Sequence, residues 1–300
     1  MRAVALGSDE RPRFPCYASP KLDGFRCVVA DGVALTKTLK PVRNRHVQKV
    51  LGLQGLNGLD GELVVGSPVE GPDDEGTVLG RTMSGVTSAD GQPDFTFHVF
   101  DRWDRPGRPF SWRIGSAEDI VDDHAERRPL VLVPQARVET WDEVLAFEAE
   151  QLARGYEGVC LRPLDAPYKY GKVTAREGWL LKLKRFTDGE AVVLEVRPAM
   201  RNANEASRTP SGKLVRSTRA SGLEASDEAG ALLCRDLLTG QEMLVNTGRM
   251  RKPERQAVLA DPKLAVGRVV TWRFFGYGVL NADRHAHFVA FRHEDDLAAP

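Results

Sequence analysis

The sequence predicts an α+β protein in two parts, with mixed and antiparallel sheets and a few helices followed by a small, partly open β-barrel. Three observations carry this reading. Most of the 300-residue chain runs as short apolar segments broken by Gly, Pro, Asn and Asp. Amphipathic helical spacing is confined to a few stretches. Beyond residue 186, five short strand patterns surround a single helix pattern, the content of a small barrel.

The elements follow in order. Phe25–Ala30 runs through Asp31-Gly32 into Val33–Thr36, a hairpin whose two central residues tolerate positive φ. Leu59–Val65 and Phe95–Phe100 read as strands, and the Gly-, Pro-, Ser- and Asp-rich stretch 66–94 between them reads as a long mobile loop. A helix is predicted over 117–127, capped by Ser116. Thr140-Trp141-Asp142-Glu143 is a capping box, with Trp141, Val144, Leu145 and Leu152 at helical spacing behind it and Gly155 as the stop. Gly158–Arg162 and Trp179–Lys184 are further strands. A boundary is predicted near Phe186-Thr187-Asp188-Gly189, giving domains 1–186 and 187–300. The barrel strands are Ala191–Val196, Leu232–Arg235, Gln241–Val245, Val269–Phe275 and His287–Phe291, with a helix starting near Pro253.

Composition narrows the class. The chain is 42% hydrophobic and 28% charged, which excludes collagen, coiled coil and wholesale disorder. No apolar run reaches the ~18 residues of a membrane helix, and the first ten residues turn acidic before a signal-peptide core can form. A cytoplasmic protein with no membrane partner is expected. Cys16, Cys27, Cys160 and Cys234 are scattered and imply neither zinc knuckle nor disulfide framework. His285 and His287 alternate on a strand without a third ligand and read as barrel histidines.

The net charge is zero, but its distribution is uneven. Residues 1–50 carry 10 basic groups against 4 acidic, residues 151–187 carry 8 against 3, and residues 51–150 carry 8 against 20. Residues 197–219 add six basic groups against the single acid Glu205. Segregation of this kind can present one positive face to a polyanion.

The chemistry gathers around Lys21-Leu22-Asp23-Gly24-Phe25-Arg26, at the mouth of the first hairpin. A lysine becomes a nucleophile once deprotonated, and an arginine fork grips phosphate. Asp60-Gly61-Glu62 and Tyr156-Glu157-Gly158 each set a carboxylate where a strand meets a turn. Lys182 and Lys184 share one face of a strand. A nucleophilic lysine, two carboxylates for a hard cation and two lysines for phosphate make a nucleotidyl-transfer site.

In this order the residues resemble the ATP-dependent DNA ligases of the covalent nucleotidyltransferase superfamily, in their short, two-domain phage-type form. Lys21-x-Asp23-Gly24-x-Arg26 is similar to motif I, Asp60-Gly61-Glu62 to motif III, Phe97–Asp101 to motif IIIa, Glu157-Gly158-Val159 to motif IV, and Lys182-x-Lys184 to motif V. The resemblance implies an N-terminal adenylation domain and a C-terminal oligonucleotide-binding (OB-fold) barrel. It implies that Lys21 takes AMP from ATP, that AMP passes to the 5′-phosphate of a nick, and that the 3′-hydroxyl displaces it. It also implies that Asp23 and Arg26 join Lys21 in catalysis, that Ser19, Pro20, Leu22, Lys37, Lys182, Lys184 and Arg292 contact the nucleotide, Arg26 and Glu62 its sugar, and that Phe100 stacks on adenine. By the same resemblance Glu62 and Glu157 hold Mg²⁺, which Mn²⁺ can replace.

Two departures stand out. Motif Ia offers Lys37 where the family has Arg, which keeps charge but loses the fork. Motif VI is echoed by Arg292-His293-Glu294-Asp295 without its lysine. The expected partner is nicked duplex DNA, met by a monomer, with the 66–94 loop and the basic 197–219 segment as candidates to embrace it. An RNA ligase or messenger-RNA capping enzyme is the alternative, and a catalytically idle nucleic-acid-binding module is the rival of another class.

Overall fold

A computed structural model describes residues 1–7, 10–69, 77–126, 128–184, 187–208, 214–217, 219–274 and 286–292. The chain divides into two compact units, one made by Met1–Arg185 and one whose body is Phe186–Tyr277.

In the first unit the chain runs β1 (Val4–Ala5), β2 (Cys16–Pro20), β3 (Phe25–Ala30), β4 (Val33–Thr36), α1 (Arg45–Leu51), β5 (Leu59–Val65), α2 (Val78–Thr87), β6 (Phe95–Arg102), α3 (Phe110–Ala125), β7 (Leu130–Leu132), β8 (Ala136–Val138), α4 (Trp141–Ala153), β9 (Val159–Pro163) and β10 (Leu181–Leu183). They form two five-stranded sheets, ordered β4-β3-β5-β6-β7 and β1-β10-β9-β2-β8. The first sheet buries Cys27, Val29, Leu59, Leu63, Phe97 and Val99 beneath Val47 and Leu51 of α1, Val86 of α2, and Ala117 and Val121 of α3. Apolar faces of both partners leave water together, the dominant favourable contribution to the fold. The second sheet packs Cys16, Ala18, Leu161 and Leu181 on Val144 of α4.

Three helices depart from the sequence reading. The stretch taken as a long loop holds α2, capped by Thr77, whose hydroxyl accepts from Gly80 N at 3.1 Å. Its signal is masked by Gly80 and Gly85, but Val78, Thr82 and Val86 recur every fourth residue and are all buried. Residues 70–76 of that stretch lie outside the described residues. Helix α3 starts seven residues before the predicted 117, directly after Pro109, because Phe110, Arg113, Ile114, Ala117 and Val121 make one continuous buried stripe. Ser116 is therefore inside it, where its hydroxyl accepts from Arg102 Nη1 at 2.8 Å. Helix α1, which the sequence reading passed over, is capped by Asn44 Oδ1 accepting from Val47 N at 2.9 Å. The Thr140 cap forms as expected, with its hydroxyl accepting from Glu143 N, whereas the Glu143 carboxylate reaches Glu139 N.

In the second unit, β11 (Thr187–Asn202), β12 (Ala206–Arg208), β13 (Leu214–Arg216), β14 (Leu223–Asp236), β15 (Glu242–Asn246), α5 (Lys252–Ala260), β16 (Val269–Phe274) and β17 (His287–Phe291) follow. The barrel is closed, in the order β11-β14-β15-β17-β16 with β16 returning to β11, rather than partly open. Val193, Leu232, Cys234, Val245, Val270, Trp272 and Phe288 fill it. The described part of the basic 197–219 segment is not a bare loop. Arg197 and Arg201 ride on β11, which pairs with β14, and β12 and β13 form their own hairpin. Lys213, His285 and residues 293–295 lie outside the described residues. No helix among the described residues is long and apolar enough to cross a membrane.

Candidate active site

Lys21 follows directly on β2, and its backbone N–H donates to Gly158 O at 2.8 Å, tying it to the start of β9. Two glycines permit this approach. A Cβ on Gly24 would stand 2.2 Å from Leu63 O, and one on Gly158, whose φ is +147°, would stand 2.3 Å from Leu183 O. With the strands this close, Lys21 Nζ donates to Glu157 Oε2 and Lys184 Nζ to Glu157 Oε1. Burial alone would depress the Lys21 pKa, but the surrounding groups led by Glu157 together outweigh it and the ammonium is held above its ordinary value. Burial likewise opposes ionisation of Glu157, and Lys21 and Lys184 together overcome it and keep the carboxylate charged.

Lys21 opens onto a cavity lined by Ser19, Pro20, Leu22, Arg26, Glu62 and Phe100, all predicted, and by Phe110, Val133, Gln135, Cys160, Arg162 and Leu180, which were not. The register of the first sheet sets Arg26 opposite Glu62, and Glu62 opposite His98. The Arg26 guanidinium is bidentate to the Asp60 carboxylate through Nε and Nη2, and Tyr168 Oη donates to Asp60 Oδ2 at 2.7 Å. It also lies 4.6 Å from the centre of the Phe100 ring, covering one aromatic face. Burial pushes the Glu62 carboxyl up to about 7 despite Arg26 and Lys21, and pushes the His98 imidazole down to about 4. His98 shares the half-exposed face of β6 with Phe100, while Phe97 and Val99 face the core.

The remaining expected residues are placed unequally. Asp23 adds to the field that keeps Lys21 protonated. Lys182 sits on β10 directly opposite Cys160 of the cavity wall. Lys37 stands exposed in the turn after β4 and is absent from the cavity lining. Arg292, in the second unit, is 2.9 Å from Glu190. Sequence reasoning missed the groups that hold the site in shape. Asp101, wholly buried, accepts from Arg113 Nε at 2.8 Å and from Arg162, whose guanidinium lies 4.2 Å from the Phe110 ring centre. These partners are far apart in the chain, so spacing carried no sign of them.

Among the described residues no three His, Cys, Asp or Glu side chains gather as a preformed metal cage. The donor set still suits Mg²⁺, which commonly takes one or two carboxylates together with ligand phosphates, and Glu157 presents two hard oxygens beside the nucleophile.

No protein-family model matches the chain. It is 32% identical over 214 residues to a probable DNA ligase of Streptomyces griseus, covering 65% of this chain and 40% of that protein. It is also 32% identical over 197 residues to one of Streptomyces avermitilis, covering 60% and 37%. The chain thus spans about two-fifths of the length of these curated relatives. The structure of Chlorella virus DNA ligase-adenylate is similar over 97% of this chain and 98% of that one, at 25% identity and a TM-score of 0.54. A Lig E DNA ligase shares the fold over 97% of this chain and 98% of its own, with a TM-score of 0.71 at 21% identity. The resemblance to DNA ligases read from the motifs is therefore matched in the sequence relatives, and the fold is matched in the solved structures.

Proposed function

We propose that this chain is an ATP-dependent DNA ligase that seals nicks in duplex DNA through a lysyl-AMP intermediate. The observation that carries the reading is Lys21, paired with Glu157 and Lys184, opening onto a cavity that holds Arg26, Glu62 and Phe100. Likeness to a DNA ligase-adenylate over nearly the whole chain supports it.

Deprotonated Lys21 Nζ attacks the α-phosphorus of ATP; the P–N bond forms and the P–O bond to pyrophosphate breaks. A 5′-phosphate oxygen of the nick then attacks the same phosphorus, breaking P–N and regenerating the lysine. The 3′-hydroxyl attacks the nick phosphate, loses its proton, and AMP leaves.

Arg26 is held rigid by Asp60, which leaves the two N–H groups of Nη1 and the second of Nη2 for the nucleotide, with Glu62 beside it for the sugar hydroxyls. Phe100 offers the aromatic face that Arg26 does not cover for a base. Lys182 and Lys184 counter phosphate charge. Mg²⁺, or Mn²⁺ in its place, would be held by Glu157, with Glu62 the second carboxylate proposed, and would offset charge building on the phosphoryl oxygens. Met1–Arg185 is then the adenylation domain and the barrel the OB-fold DNA-binding domain, in a cytoplasmic monomer.

The experiment is a gel assay with labelled ATP, Mg²⁺ and a nicked duplex. Transfer of label from [α-³²P]ATP to protein, then to DNA, then sealing, is the expected sequence. Labelling by GTP alone would move the chain to the capping enzymes, and sealing confined to RNA nicks would move it to the RNA ligases.

A further inference from the structure

We propose that Gln135 reads the base of the nucleotide and makes the cavity selective for adenine. This deepens the adenylyl-transfer reading and rests on it.

Most polar side chains that line the cavity are already committed. Lys21 is paired with Glu157, Arg26 with Asp60 and Arg162 with Asp101. Of the backbone groups at the mouth, Pro20 has no N–H and the Lys21 N–H is bonded to Gly158 O. With Glu62 assigned to the sugar hydroxyls, the uncharged amide and hydroxyl side chains left in the lining are Ser19 and Gln135. Only Gln135 carries a donor and an acceptor side by side in one plane, the pattern that matches a purine edge.

Gln135 is also positioned and given a fixed polarity. Val133 N donates to Val99 O at 2.7 Å, which ties this segment to the strand bearing Phe100. Gln135 Nε2 donates to Val133 O at 2.9 Å. Turning the amide over would bring Oε1 against that carbonyl, two acceptors facing each other, so the amide keeps one orientation. Oε1 and the second N–H are then left for a ligand. Adenine supplies the complement, a 6-amino donor beside a ring-nitrogen acceptor. Guanine presents O6 where the 6-amino group stands, an acceptor against an acceptor.

The test measures self-adenylation with ATP and with purine riboside 5′-triphosphate, which lacks the 6-amino group, for the parent, Gln135→Ala and the near-isosteric Gln135→Met. The parent should favour ATP by about 10-fold or more in kcat/KM, as a hydrogen bond to a buried site discriminates. In both variants that preference should collapse to about twofold, through a raised KM for ATP at nearly unchanged kcat, because the base is remote from the reacting phosphorus. Labelling by GTP relative to ATP should rise in both. If ATP labels the protein and the variants keep the full preference, the base is read elsewhere and the inference fails alone. If no nucleoside triphosphate labels the parent, the adenylyl-transfer reading fails and the inference falls with it.

Discussion

Asp101 and Glu224 each hold arginine, in opposite surroundings. Asp101 and Arg113 have fully buried side chains, and Arg162 is 7% exposed. Glu224 and its partner Arg201 on the barrel are 56% and 74% exposed. Around the cavity the same pattern repeats with Asp60–Arg26 and with Glu157 between two lysines; on the barrel, Arg235–Glu242 and Arg251–Glu254 repeat the exposed one. Breaking a buried pair leaves a charge without solvent and costs about 3–5 kcal/mol, whereas an exposed pair is worth roughly 0–1 kcal/mol. The first region therefore spends its charge on fixed geometry. The second keeps charge that a polyanion can take up at little cost to the fold.

The largest effect should come from the nucleophile. Lys21→Arg keeps the positive charge but cannot form a productive phosphoramidate with AMP. Label from ATP should fall to background and ATP-driven sealing with it, while pre-adenylated nicks still close slowly. Covalent label persisting on the variant would overturn the role of Lys21. Glu157→Ala comes next, with a loss of roughly 10²-fold in adenylation, the scale of removing one electrostatic group, partly recovered at higher Mg²⁺ or with Mn²⁺. The pH profile gives a second readout. Free amine is the reactive form, so the rate rises with pH, and Glu157 is what holds Lys21 protonated. Without it the rise should move to lower pH. An unmoved profile at unchanged rate would remove Glu157 from the reaction.

Glu62 sharpens the contrast through stability. Its folded pKa is raised from 4.5 to about 7, chiefly by burial. Between those values the folded protein holds a proton that the unfolded chain has released, so stability falls as pH rises through the window. Glu62→Gln removes that dependence. The variant should match the parent near pH 4 and exceed it by roughly 3 kcal/mol at pH 8, read by denaturant unfolding. A difference constant across pH would mean that Glu62 is not neutralised by burial.

What could be read from the sequence follows the same division. Lys21, Arg26, Glu62, Phe100 and Glu157 lie in short local motifs whose chemistry is visible in the residue types. The barrel strands were visible as short strand patterns, though β11 and β14 run well beyond the predicted Ala191–Val196 and Leu232–Arg235. Asp60 was visible only as part of a motif, and its hold on Arg26 and Tyr168, 34 and 108 residues away, was not. Helix α2 was hidden because Gly80, Ser84 and Gly85 on its less apolar side look like turn residues, and only burial of Val78, Thr82 and Val86 decides it. Gln135 lies in a Val-Pro-Gln stretch with no motif of its own, and its meaning comes from Val133 O and the neighbouring cavity wall.

The smallest structural effect, and the sharpest test of the barrel half of the comparison, comes from Arg201, Arg216 and Arg219 changed together to Ala. All three are exposed. Arg201 is 2.8 Å from Glu224, and Arg216 donates to Asn204 O, both at the surface where neither bond is worth much. Unfolding free energy should therefore shift by less than about 1 kcal/mol. Under the proposed function, self-adenylation would use the cavity of the first unit and should stay within twofold of the parent. Binding to nicked duplex should weaken, and the slope of log affinity against log salt should flatten by about 0.9 for each phosphate no longer neutralised. Arg201 sits on β11 and Arg216 on β13 rather than in a free loop, so these two would need little ordering on binding DNA. An unchanged salt slope with intact adenylation would remove this face from the DNA surface. A large loss of stability would show instead that exposed pairs on the barrel hold the fold as the buried ones do.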